Sequence, residues 1–104
     1  MDKKTNNTIR RFISAFAKEN PNIVKAFIFG SFARNSERPE SDIDIAIIIK
    51  NLNDNDKFKM QVQLMLFASN FDLRIEPHPI SSEDFEINNP FVDEIKRTGI
   101  EIKI

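Results

Sequence analysis

IFGSFARNSERPESDIDIAIIIK, residues 28–50, is the stretch that decides how this chain is read. An apolar run ends at Gly30-Ser31, ten mostly polar residues follow, and Asp42 and Asp44 then flank Ile43 at the start of a second apolar run. Ile43 to Ile49 is almost wholly aliphatic, the pattern of a strand covered on both faces. Ile23 to Phe29, bounded by Pro21 and Gly30, reads as the strand before it. Between them, Ser31 to Ser41 is a polar connection in which Phe32-Ala33-Arg34 can make one helical turn.

Working outward, Ile9, Phe12, Ile13, Phe16 and Ala17 form one stripe of an amphipathic helix, ended by Asn20-Pro21. The opening MDKK reads as a frayed, solvated end. Downstream, NLNDND is turn chemistry. Phe58, Val62, Met65, Leu66 and Ser69 then predict a second helix with that stripe in the core and Asp54 or Asp56 as its cap. Alternation from Asp72 to Glu76 predicts a third strand, ended by Pro77 and Pro79. Ser81 or Ser82 caps a short turn, Pro90 to Thr98 forms a helix closed by Gly99 at C′, and IEIKI is a final edge strand. Phe85 and Phe91 fit either the core or a partner surface. This order predicts an α/β (α+β) fold, a small mixed sheet in one layer pair with helices, as a single domain over residues 1–104.

Composition narrows the function classes. Fifteen basic and sixteen acidic side chains nearly cancel, so no bulk basic field attracts nucleic acid or a membrane surface. Any polyanion has to be met locally or through a bound cation. With no cysteine, metal ligation falls to oxygen donors and the one histidine, His78. No apolar stretch approaches the roughly 20 residues of a membrane span, and the N-terminus lacks a signal-peptide core. The expectation is a soluble cytoplasmic protein.

Asp42 and Asp44, two apart on a strand, project to the same side with Cα atoms roughly 6 to 7 Å apart. Two carboxylates so placed repel unless they share a divalent cation. Oxygen ligation with open positions suits Mg²⁺, which fills its remaining coordination with water and substrate phosphates. Gly30 lets the chain turn tightly and exposes backbone N–H groups to a phosphate; the Ser31 hydroxyl and Arg34 add donors. Each feature alone has an ordinary reading, a plain turn and a solvated strand end. Their coincidence between two strand-like runs favours a site.

Gly30-Ser31, ten residues, then Asp42-Ile43-Asp44 resembles the G-S-x10-D-x-D signature of the polymerase-β-like nucleotidyltransferase superfamily. GSFARNSERPESDIDIAII is most similar to its minimal nucleotidyltransferases, small prokaryotic proteins often encoded beside a HEPN-domain partner. The resemblance is close over residues 28–49 and less specific beyond them. It implies a polymerase-β-like fold, ATP as substrate, two Mg²⁺ ions, and transfer of AMP to a hydroxyl with loss of pyrophosphate. It further implies a HEPN-type toxin as partner, this chain being the antitoxin that nucleotidylates it, and a homo- or hetero-oligomer is left open. By the same resemblance Asp42 and Asp44 are metal ligands and catalytic, with a third carboxylate on a following strand. Glu76 is favoured there and Asp72 is the alternative. Gly30, Ser31, Arg34 and Ser41 are the nucleotide-binding candidates.

Arg74 either orients its acidic neighbours or contacts phosphate, and His78 is read as a positioned polar residue at the strand exit. The family usually continues Ala-Arg-Gly where this chain has Ala33-Arg34-Asn35. Asn is the non-glycine residue that best tolerates a left-handed backbone, so the turn is still expected to form. The rival readings are a module that neutralises a partner by masking it, and a subunit that binds ATP without turnover.

Overall fold

A computed structural model describes residues 2–38 and 41–104. Met1 of the expected frayed end, and Pro39 and Glu40 of the expected polar connection, lie outside the described residues. Four strands form a mixed sheet in the order β3-β2-β1-β4, with β1 at Ile23–Phe29, β2 at Ile43–Ile49, β3 at Ile75–Ser81 and β4 at Ile100–Ile102. β1 runs antiparallel to both β2 and β4, whereas β2 and β3 run parallel, joined by a helical crossover. Among the described residues no helix is long and apolar enough to cross a membrane.

Both faces of the sheet are covered, as the aliphatic run of β2 suggested, so the helices form two layers and not the single layer pair expected from the element order. Helices α1 (Lys3–Glu19) and α2 (Lys57–Ala68) bury Ile9, Phe12, Ile13, Phe16, Leu64 and Ala68 against Ile43, Ile45 and Ile47. On the other face a short α3 (Ser82–Phe85) and α4 (Pro90–Thr98) bring Phe85, Val92 and Ile95 against Ala46, Ile48 and Ile80. That two-sided cover is why β2 is apolar at successive positions. Each of its buried isoleucines adds about 1.5–3 kcal/mol of transfer free energy.

The expected α1 stripe is the buried one. MDKK departs from expectation: Asp2 is an N-cap whose carboxylate accepts the Thr5 N–H at 2.7 Å, so the helix begins at Lys3. In α2 the outcome is reversed. Phe58, Val62, Met65 and Leu66 are exposed, Phe58 by 79%, while Leu64 and Ala68 face inward. This helix is apolar around most of its circumference, so two stripes fit a 3.6-residue period equally well. Tertiary contacts choose between them: Phe67 packs against Phe12 and Phe16, and the Gln61 side chain donates to the Pro77 carbonyl at 2.6 Å. Asp56 occupies the N-cap position without a side-chain bond.

β3 departs furthest from its expected boundaries. It begins at Ile75, near where the alternation was expected to end, and carries Pro77 and Pro79 inside it. An outer strand tolerates this because residues two apart point their backbone groups the same way. The Pro77 carbonyl meets Gln61 and not β2, so its missing N–H lies on the side away from β2. Asp72 and Arg74 precede the strand in a turn. Ser81 caps α3, its hydroxyl oxygen accepting from the Asp84 N–H at 3.0 Å. Gly99 does close α4, but in an extended conformation at φ −70°. Glycine is required there because a Cβ would collide with the Ile95 carbonyl oxygen.

Candidate active site

The end of β1 and the starts of β2 and β3 meet at one rim of the sheet. Register decides what gathers there: Asp44 lies opposite Phe29 on β1 and opposite Glu76 on β3. Asp44, Ala46 and Ile48 share the α3–α4 face of β2; Glu76, His78 and Ile80 share that face of β3. Two acids are thereby placed side by side on adjacent parallel strands.

Gly30 follows β1 directly, at φ +74°. A Cβ there would lie 2.6 Å from Asp44 Oδ2, so this carboxylate occupies the space that a larger residue would need. Glycine meets both demands, a left-handed backbone and close approach. The turn is tied by the Arg34 N–H donating to Gly30 O at 3.2 Å and the Ser36 N–H donating to Ser31 O at 3.0 Å. Asn35 takes the left-handed conformation expected of it, at φ 56°. The Arg34 guanidinium is half-exposed, 3.8 Å from Glu94. Ser41 accepts the Arg38 N–H on its hydroxyl at 2.8 Å, holding the chain as it enters β2.

The two alternatives for a third carboxylate have different surroundings. Asp72 is held by Arg74 through contacts of 2.8 Å and 3.1 Å, and the guanidinium beside it depresses its pKa. Arg74 also reaches Thr5 and lies over the Phe32 ring, so it acts as an anchor between the N-terminus and this turn. Glu76, by contrast, stands with Asp42 and Asp44. Its pKa is raised, first by partial desolvation, then by a hydrogen bond with Asp42 and by the Asp44 charge.

His78 was misplaced by sequence reasoning. It is not at the strand exit but inside β3, with Nε2 3.1 Å from Asp44 Oδ1. Its ring packs against Phe29 and Phe91 at centroid separations of 5.2 and 6.2 Å. The signal was present in Glu76-Pro77-His78, where alternation puts His78 on the face of Glu76; reading the prolines as a stop hid it. Phe91, left open from sequence, is a wall of this site, while Phe85 is core and stacks on Phe27. Donor atoms of Asp44, Glu76 and His78 all lie within 4.8 Å of one another.

Residues 12–103 match the family described as polymerase beta, nucleotidyltransferase. The chain belongs to that family, and it is a nucleotidyltransferase. A Methanocaldococcus jannaschii protein provisionally named a protein adenylyltransferase is 28% identical over 100 residues, spanning 90% of this chain and 98% of the relative. Two solved structures share the fold at identities too low to carry more. One, from Sulfolobus solfataricus and provisionally described as a nucleotidyltransferase, superposes with a TM-score of 0.63 at 21% identity, covering 92% of this chain and 77% of its own. The other is a complex of a tri-AMPylated Shewanella oneidensis HEPN toxin with its MNT antitoxin. It matches with a TM-score of 0.58 at 17% identity, over 99% of this nucleotidyltransferase and 72% of that chain.

Proposed function

We propose that this nucleotidyltransferase transfers AMP from ATP to a hydroxyl group on a partner protein, depends on Mg²⁺, and has a HEPN-type toxin as that partner. One observation carries the proposal: Asp44 and Glu76 stand side by side on adjacent strands, just behind a left-handed Gly30 turn and with Asp42 two residues before Asp44. Carboxylates assembled against their own repulsion fit a hard divalent cation. Asp42, Asp44 and Glu76 would hold it. Two bound Mg²⁺ ions would supply charge neutralisation at the triphosphate and at the attacking and leaving oxygens.

The chain's own groups do the rest. Gly30 leaves the turn open for a phosphate to approach backbone N–H groups, and the Ser31 hydroxyl stands beside it. Arg34 is tethered by an exposed pair at 3.8 Å, worth little in water, so it is free to turn toward a phosphate oxygen. Ser41 shapes the entry to β2. The acceptor oxygen bonds to the α-phosphorus, the bond from that phosphorus to the pyrophosphate oxygen breaks, and the hydroxyl proton passes to Glu76.

The protein adenylyltransferase name of the archaeal relative and the AMPylated toxin in the Shewanella complex support the choice of AMP and of a protein acceptor. ATP as donor fits a cytoplasmic setting. The test incubates this protein with Mg²⁺, α-labelled ATP and the product of the neighbouring gene. Label is expected on the partner with the wild type and absent with Asp42→Asn and Asp44→Asn. Transfer that persists in both variants overturns the assigned roles.

A further inference from the structure

His78 stands on the same face of β3 as Glu76, two residues along, and Glu76 lies opposite Asp44. Ligands held about 2.1 Å from one ion lie about 3 Å apart when adjacent and about 4.2 Å apart when opposite. The 3.1 Å between His78 Nε2 and Asp44 Oδ1 is the spacing of adjacent ligands. Phe29 and Phe91 flank the ring and offer it no hydrogen bond, so packing fixes the imidazole with Nε2 turned toward the carboxylates. An imidazole nitrogen is a softer donor than the oxygens Mg²⁺ favours, and its affinity rises through the first-row transition ions.

We propose that His78 is a direct metal ligand and makes this a mixed nitrogen–oxygen site preferring a first-row transition cation, Mn²⁺ being the probe, over Mg²⁺. The inference rests on the reading of Asp42, Asp44 and Glu76 as a cation site, and it names the class of cation that the site selects. It also differs from a role for His78 as a mere countercharge to Asp44. A countercharge would be displaced by a bound ion, and its removal would tighten cation binding.

The experiment uses the full chain with Mn²⁺ and Mg²⁺ alone, without nucleotide, so that binding is read apart from catalysis. Pulsed electron paramagnetic resonance of the Mn²⁺-loaded wild type is expected to show coupling to a directly bound imidazole nitrogen. That coupling is lost in His78→Phe, which keeps a ring between Phe29 and Phe91, and in His78→Gln, which offers oxygen in place of nitrogen. Calorimetry is expected to show Mn²⁺ affinity falling by about tenfold or more in both variants, a loss typical of disturbed ligand shells, with Mg²⁺ affinity changing much less. Mn²⁺ bound without nitrogen coupling, or bound as tightly or more tightly by both variants, overturns this inference and leaves the carboxylate site standing. Failure of the wild type to bind either cation sinks the cation site itself. Should one variant fail to fold, the wild-type spectrum and the other variant still decide.

Discussion

Gly30→Ala puts the closest contact of the site to a quantitative test. The substitution adds a methyl at a residue with φ +74°, where its Cβ would sit 2.6 Å from Asp44 Oδ2 and 3.5 Å from Asp44 Cγ. Two costs follow, and they are separable. The left-handed backbone costs an L-residue about 1–2 kcal/mol; at about 4–8 °C per kcal/mol for a domain of this size, the cation-free melting temperature falls by roughly 4–16 °C. The clash itself is relieved by rotating the short Asp44 side chain, which draws its carboxylate away from Glu76 and His78. That second cost appears as lost cation binding. A cation at one hundred times its dissociation constant stabilises the wild type by about 2.7 kcal/mol, and tenfold weaker binding halves this to about 1.4 kcal/mol. Melting both proteins with chelator and with Mn²⁺ reads the two costs separately. If Gly30→Ala keeps the full cation-induced rise, Asp44 either does not move or does not matter, and the reasoning fails.

Glu76→Gln is expected to stabilise the cation-free protein at neutral pH while abolishing cation binding. Because the folded-state pKa of Glu76 lies above its ordinary 4.5, its favourable contribution is complete below that value and is lost as pH rises through the folded pKa. Urea unfolding from pH 4 to 8 in chelator should therefore show the wild type weakening relative to the variant across that window. Asp72→Asn should do the opposite: with its pKa depressed by Arg74, Asp72 contributes stability above its ordinary 3.8 that is lost as pH falls through the folded value. That variant should be less stable at pH 7 yet bind Mn²⁺ as the wild type does; loss of binding would restore Asp72 as the third ligand. Leu64→Ala should cost about 2–5 kcal/mol, as buried leucines do, and Leu66→Ala, two positions along, should stay within about 0.5 kcal/mol, as exposed positions do. Denaturant midpoints check the pair, and equal losses would mean that α2 is rotated from the orientation described.

The legible parts of the sequence are those where one physical constraint acts alone. β1 and β2 run over the expected residues because largely apolar, β-prone runs bounded by Pro21, Gly30 and Lys50 admit little else. The turn at Gly30 was legible because a glycine that ends an apolar strand run is the residue that lets the chain turn tightly there. α2 was misread because its composition satisfies two helical stripes, and only Phe12, Phe16 and the Pro77 carbonyl break the tie. β3 was misread because proline was treated as a terminator, whereas its effect depends on which edge of the sheet the missing N–H faces. His78 went with it: once the strand was thought to end, the residue that touches Asp44 was left outside the site.

Those same prolines have a meaning beyond local geometry. The free border of a sheet is a template on which a second polypeptide can crystallise its own backbone, and two rings without amide hydrogens make the border at β3 a poor one. The opposite border is only three residues long. A protein built around a rim of acids thus shields its lateral margins from polymerisation, so that a β3 carrying non-proline residues at positions 77 and 79 would be the variant to watch for fibrils.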